Sequence, residues 1–193
     1  MMSSETCESN DIIAEEFWNW SVTYYSRAGI SDALLTLQNN YSANINLVLW
    51  CLWQSEHLLS LQEISDAASS IQPFNQSVTQ KLREARVHLK SLRGPSETKH
   101  SSDLTGCADD DVADSLRKQI LSVELEAERL EQKIIVSSQT HLPLSDGKQA
   151  PNKAIAQANL KTYLTFISVK AIDKKLETIL LTNISPFTKP IPT

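Results

Sequence analysis

Three stretches of this chain hold side chains of the types that bind metals or attack bonds. Asp110-Asp111-Val112-Ala113-Asp114 spells DDxxD, the pattern by which isoprenoid synthases hold magnesium and diphosphate. That chemistry needs two acidic clusters on facing helices around three metal ions, and no second cluster of Asp or Glu stands at that spacing. Acids at a helix start are favourable against the positive end of its dipole, which is the role expected here. Cys51 and His57 could pair as a thiol nucleophile and its base, but six residues along one helix set them roughly 120° apart, facing different ways. Cys51 therefore reads as a core side chain. Glu84 and His88, at i and i+4, share a face, yet a di-iron bundle requires two Glu-x-x-His sites and two further carboxylates. The Walker loop, G-x-G-x-x-G, HExxH and G-x-S-x-G patterns are absent. The residues thus lead to no catalytic set, no metal site and no cofactor, and they favour a protein that is not an enzyme.

Side chains that could bind rather than react are more plentiful. Asn44 and Asn46 stand at the mouth of an apolar segment, where an amide either satisfies helix N–H groups or orients a polar ligand. Trp18, Trp20, Tyr24, Tyr25, Trp50 and Trp53 could build a core, line a pocket or anchor an interface. Arg83, Arg86, Lys90 and Arg93 form a basic stripe that could meet phosphate or an acidic surface. No aromatic ring is interleaved with it, as stacking on bases would require, so an ion-pair flank within the fold is the expected role.

The elements that position these residues are helices. The chain has 193 residues, 41% of them hydrophobic, and only 4 Gly, enough apolar material for a core and few strand-forming runs. Cys7, Cys51 and Cys107 are odd in number and form no CxxC pair, which suggests neither disulfides nor zinc. The start, MMSSETCESNDIIAEE, carries five acids and no base, the wrong sign for a leader peptide. The longest apolar run, Leu47 to Trp53, has seven residues where a membrane span needs roughly 18 to 20. Residues 1–72 carry a net charge of −8 and residues 73–193 of +3, so an acidic protein of two characters is implied, without a general pull toward nucleic acid.

The first helix is expected from near Ile12 to about Ala28, with Gly29 as its stop. Ile13, Phe17, Trp20 and Tyr24 form one stripe, and Trp18, Val22 and Tyr25 a second, more surface than one neighbouring helix covers. Ser31 or Asp32 can cap a second helix, Asn44 a third containing INLVLWCLW, and Ser60-Leu61-Gln62-Glu63 reads as a capping box for a fourth. From Pro73 the pattern turns heptad: Val78, Leu82, Ala85, Leu89 and Leu92, then, past a loop at 94–109, Leu116, Ile120, Val123, Ala127, Leu130 and Ile134. Glu124, Glu128 and Glu131 flank the second seam as the basic stripe flanks the first. An antiparallel hairpin that buries both apolar seams and sets the charged flanks side by side is expected. After a loop at 138–152, one helix is predicted from Asn152 to near Asn183, packed on that hairpin.

Residues 17–53, FWNWSVTYYSRAGISDALLTLQNNYSANINLVLWCLW, about a fifth of the chain, resemble an uncharacterised family of small proteobacterial proteins, a domain of unknown function. Trp18, Tyr25, Gly29, Leu37-Gln38, Asn46-Leu47, Cys51 and Trp53 carry the likeness, which weakens after residue 72. Ala28 stands where that family often has Pro, and Ser42 where it often has Gly. The resemblance implies a bacterial cytoplasmic protein and brings no reaction or catalytic residue.

The expectation is an all-α fold: a compact aromatic-rich helical cluster followed by long heptad-patterned antiparallel helices. Its parts are a disordered N-terminus at 1–10, an aromatic helical unit at 11–72, a three-helix unit at 73–183 and a Pro-rich tail at 184–193. The function expected is a protein–protein interaction or adaptor module, its partner a protein or a second copy joined through the heptad seams, with no membrane insertion. The alternative is a small-molecule pocket or active site in residues 11–72 lined by Trp18, Tyr25, Asn44, Asn46, Trp50 and Trp53. A weaker one is nucleic-acid contact through the basic helix at 78–93.

Overall fold

The computed structural model describes residues 4–91, 106–139, 152–182 and 184. Leu92, Arg93, the expected loops over 94–105 and 140–151 and the tail from 185 onward lie outside these residues, as do the side chains of Asp110 and Asp111. Among the described residues there is no strand, and the fold is all-α. The chain divides into two compact units, one made of residues 1–71 with 132–193 and the other of residues 72–131.

The first unit holds α1 (Ser4–Tyr25), α2 (Ile30–Tyr41), α3 (Ile45–Trp53), most of α4 (Leu61–Phe74), the end of α6 (Gly106–Ser138), α7 (Lys153–Phe166) and α8 (Lys174–Thr182). Its centre is α3, in which every residue from Asn46 to Leu52 is buried. An apolar helix of this kind must be covered on all sides, and α1, α2 and α7 lie against it, with α8 on α2 and α7. Of the two stripes on α1, Ile13, Phe17, Trp20 and Tyr24 enter the core, and Phe17 stacks on Trp53 at 4.9 Å. Val22 and Tyr25 of the second stripe stay exposed.

The caps explain where these helices start. Asn44 accepts from Leu47 N at 3.1 Å, filling the N-cap role that its sequence position allows. Ser60 and Glu63 form the reciprocal box: Glu63 N donates to Ser60 Oγ at 3.2 Å, while Ser60 N donates to Glu63 Oε2 at 2.8 Å. Glu63 also holds His57 Nε2 at 2.8 Å. Burial of the Glu63 carboxyl raises its pKa, but the Ser60 hydroxyl and N–H, with His57, outweigh burial and leave it below the usual value. Neither Ser31 nor Asp32 caps α2; Gly29 does so without a side chain, at φ 78°. That left-handed turn after α1 is the reason for glycine, since a Cβ there would meet Ile179 at an ordinary 3.6 Å. Helix α1 begins at Ser4, well ahead of the expected start near Ile12.

The largest departure from the sequence pattern is the single helix expected over 152–183, which is two. Asn152 caps α7 as its position suggests, accepting from Ala154 N and Ile155 N. The helix then ends at Phe166, with Ser168 at φ 62°. Ser168 N donates to Thr165 O at 3.0 Å and Val169 N to Leu164 O at 2.8 Å, the paired bonds of a Schellman ending. Asp173 restarts the chain as α8 by accepting from Lys175 N and Leu176 N. These helices, expected to pack on the hairpin, belong to the first unit, where α7 lies against α3.

Ser42, after α2, is likewise left-handed at φ 55°, and its N–H reaches Leu37 O. An L-residue with a Cβ is disfavoured there by about 1–2 kcal/mol, and glycine gives back part of that through its freer unfolded chain. Ser42→Gly and Ser168→Gly should therefore each stabilise the first unit by about 0.5–1 kcal/mol, read as a raised midpoint in denaturant; a lowered midpoint would contradict this account of the turns.

The second unit contains the end of α4, a π-turn at Asn75–Thr79, α5 (Gln80–Ser91) and α6 up to Glu131. Pro73 lies inside α4; it lacks the N–H that helix bonding needs, and the widened π-turn follows at once. Helices α5 and α6 run antiparallel, since contacts descend from Glu131 to Glu124 on α6 as they rise from Asn75 to Arg86 along the π-turn and α5.

Candidate functional site

The hairpin of the second unit is closed by charge. Arg83 Nε donates to Glu124 Oε1 at 3.1 Å and its Nη2 to Glu128 Oε1 at 2.8 Å. Arg86 donates through Nε and Nη2 to the two oxygens of Glu124. One turn further, Glu131 Oε1 accepts from Asn75 Nδ2 at 2.9 Å and from Thr79 Oγ1. Glu124, Glu131 and Thr79 are buried, and the remaining buried residue described between 72 and 131 is Ala127. No large apolar side chain described in this segment is buried.

Of the expected seam on α6, Ala127 is buried and Ile120 half-buried, but the rest of both stripes described in this unit turns toward the surface. On α6, Val112, Leu116, Val123 and Leu130 are 66%, 44%, 54% and 43% exposed. On α5 no residue is buried, and Val78, Leu82 and Leu89 are partly exposed while Ala85 is exposed. At 100° per residue, the α6 stripe lies roughly 100° from the face that carries Glu124 and Glu128, and the α5 stripe stands off its arginines in the same sense. Because the helices are antiparallel, both stripes come to one side of the hairpin. The expected arrangement, seams inside and charges beside them, is thus corrected: the charged flanks face one another and the leucines form an open side.

Glu128 shows the electrostatic cost of this closure. Burial raises its pKa most; Arg83 opposes, and the neighbouring charges of Glu124 and Glu131 add to the rise. A carboxyl whose folded pKa lies above its unfolded one costs stability when ionised. That cost is full at neutral pH, shrinks as pH falls through the folded pKa, and is gone below the unfolded value near about 4.3. Glu128→Gln should therefore match or exceed the parent in denaturant at pH 7, and its relative advantage should fade toward pH 4; an advantage that grew on acidification would refute this sign.

Of the basic stripe, Arg83 and Arg86 are committed to these carboxylates, Lys90 is exposed, and Arg93 lies outside the described residues. The other named candidates lie in the first unit. Asn44 caps α3 with its side chain and gives its N–H to Tyr163 Oη at 2.8 Å. Buried Asn46 accepts from Gln132 Nε2 at 2.9 Å, and Gln132 Oε1 accepts from Ser21 Oγ. Trp18 is partly buried and Tyr25 exposed on α1, while Trp53 stacks on Phe17. Trp50 is wholly buried, and its indole Nε1 is, among the described residues, the one buried side-chain polar atom without a partner. Cys51 is buried; burial pushes its thiol pKa well up, against a smaller backbone contribution, which leaves it a poor nucleophile. His57 is not on the same helix but in the following loop, turned to Glu63. Asp114 lies beside Arg117 at 3.4 Å. No group of three or more His, Cys, Asp or Glu among the described residues could hold a metal ion, and none of the described helices is long and apolar enough to cross a membrane.

Residues 16–135 match the family described as Protein of unknown function (DUF2390). The chain belongs to this family. No curated protein and no solved structure matches it. The DUF2390 match runs from α1 into the last turns of α6 and so takes in the whole ion-paired hairpin, whereas α7 and α8 lie beyond it.

That C-terminal part supplies the polar residue sequence reasoning missed. Asn159, on α7, has no exposed surface. Its Oδ1 accepts from Leu59 N at 2.8 Å, and its Nδ2 donates to Gln54 O at 2.7 Å and His57 O at 2.9 Å, with Cys51 O at 3.4 Å. One amide therefore holds the connection between α3 and α4. Tyr24 plays a similar part for α8, its hydroxyl donating to Leu180 O at 2.6 Å in the last turn; burial raises its pKa against the charge of Arg27. An amide at position 159, on a stripe with Ala156, Leu160 and Tyr163, was the available signal.

Proposed function

We propose that this protein is a non-catalytic interaction module that works inside the cell and docks a protein partner on the open leucine side of the α5–α6 hairpin. The observation that carries the reading is the outward seam, Val112, Leu116, Val123 and Leu130, on a hairpin whose interior is ionic. Two helices of this length have little stability of their own, and ion pairs add little unless well buried and paired. Apolar side chains repeated at heptad spacing on such a frame gain most when another helical surface covers them. A photo-crosslinking residue at Val123 should capture a protein in living cells, and the same residue at exposed Lys118, on the opposite face of α6, should not. Equal labelling at both positions, or none at Val123, would overturn the proposal.

A second reading, a small-molecule site in the first unit, is favoured by one observation, the buried Trp50 indole N–H with no acceptor. A ligand oxygen at that atom would satisfy it. Native mass spectrometry of freshly purified protein should then show a bound mass that Trp50→Phe loses; a bare chain would dismiss this reading.

A further inference from the structure

We propose that a second copy of this chain is what covers the leucine side, the two hairpins forming an antiparallel four-helix bundle with α5 of each copy over α6 of the other. This rests on the docking surface described above and assigns its occupant.

Three observations select a second copy. The first is the repeat itself. Leu116, Val123 and Leu130 recur every seven residues, with Val112 one turn before them, and a seven-residue repeat stays in contact only with a helix of the same repeat. A second hairpin brings that repeat on both of its helices. The stretches of this chain outside the described residues, 92–105, 140–151 and 185–193, do not supply it. Gly94-Pro95, Pro143 with Gly147 and Pro151, and Pro186, Pro190 and Pro192 punctuate them, and none repeats apolar residues at steps of three and four.

The second is area. In the second unit Ala127 is the one buried apolar side chain described, while Val87, Val112, Leu116, Leu121, Val123, Leu125 and Leu130 are exposed. Those of the seam gain only when they leave water.

The third is charge. Beyond the α5 stripe, on its outer edge, stand Lys81 and His88; beyond the α6 stripe stand Gln119 and Glu126. Arg83 reaches both Glu124 and Glu128, so Lys81 and Glu126 lie within about a turn of the same level along the hairpin. A two-fold axis parallel to the helices places α5 over α6 of the other copy and brings Lys81 of one to Glu126 of the other. The alternative two-fold, across the helices, stacks α6 on α6 and opposes Glu126 to itself, which like-charge repulsion disfavours. Lys81 now pairs with Glu84 at the surface, both more than half exposed, a contact weak enough to be exchanged.

Light scattering on the full chain at micromolar concentration should return twice 21.6 kDa. The pair Val123→Asp and Leu130→Asp, at exposed positions, should return the single mass with unchanged helix content. Chains carrying Lys81→Cys, mixed with chains carrying Glu126→Cys under mild oxidation, should form a disulfide dimer that neither variant forms alone. A dimer from Glu126→Cys by itself would overturn the arrangement in favour of α6 on α6. A single mass for the parent chain at every concentration would overturn self-association; if the Val123 crosslink still captured another protein, the docking surface would stand with a different occupant. Loss of both results would remove the surface as well.

Discussion

Replacing Asn159 by leucine should cost the first unit about 3–4 kcal/mol, since the side chains are similar in volume and three backbone groups lose their partner at once. Leu59 N–H loses its acceptor, and Gln54 O and His57 O lose their donor. Each buried group left unsatisfied costs about 1–3 kcal/mol, partly relieved where the loop can open to water. Thermal unfolding of that unit should move down by roughly 10 °C, and amide exchange should accelerate first at residues 54–60. A change below about 1 kcal/mol would show that the loop holds its shape without the amide.

Asn159→Asp separates hydrogen bonding from shape. A carboxylate at this place would face the carbonyls of Gln54 and His57, at 2.7 and 2.9 Å from the present nitrogen, in a site closed to water. Both burial and the carbonyl dipoles disfavour its charge, so its folded pKa must lie above the unfolded value near about 3.9. The variant is then weakest at neutral pH, and its deficit relative to the parent should shrink as pH falls through that raised pKa. The protonated acid can still accept from Leu59 N–H and donate to one carbonyl. Asn159→Leu has no proton to gain, and its deficit should stay constant over the same range.

The same contrast between local and distant causes decides what could be read from the sequence. The box at Ser60 and Glu63, the caps at Asn44 and Asn152, and the buried stripe Ile13, Phe17, Trp20 and Tyr24 follow from spacings of three and four residues within one helix. The break between α7 and α8 was hidden because serine, not glycine, takes the left-handed position at 168, while Asp173 looked like one more polar residue in a long helix. Asn159 was passed over because a single amide among apolar residues gives no hint of the carbonyls that a loop a hundred residues earlier presents to it. The two helices of the hairpin and the pairing of Arg83 and Arg86 with Glu124 and Glu128 are legible in the sequence, whereas the inside of the hairpin is not. A helical wheel locates the leucine stripe and the glutamate stripe, but which of them a neighbour covers is settled by the whole packing. For the candidate surface this means that its residues were legible, and its being open was not.

That inverted interior sets the last expectation. Arg83 serves both Glu124 and Glu128, and the Glu124 side chain keeps 4% of its surface. Arg83→Met should therefore destabilise the hairpin by about 1–3 kcal/mol, the cost of lost charge-assisted hydrogen bonds, because Arg86 still donates to both oxygens of Glu124; it should be seen as faster amide exchange through α5 and the facing part of α6. Most of that loss is the poorer compensation of the two carboxylates and not the worth of the pair. Replacing the set together, Arg83→Met, Arg86→Met, Glu124→Leu and Glu128→Met, removes these charges and should restore protection to the parent level or above. The ionic interior would then serve to fix which faces meet, leaving the leucines outside for a partner, and the apolar replacement should blur that choice: hairpins of the fourfold variant should associate without respect to Lys81 and Glu126. Protection in Arg83→Met within about 0.5 kcal/mol of the parent would mean that the closure does not depend on these pairs.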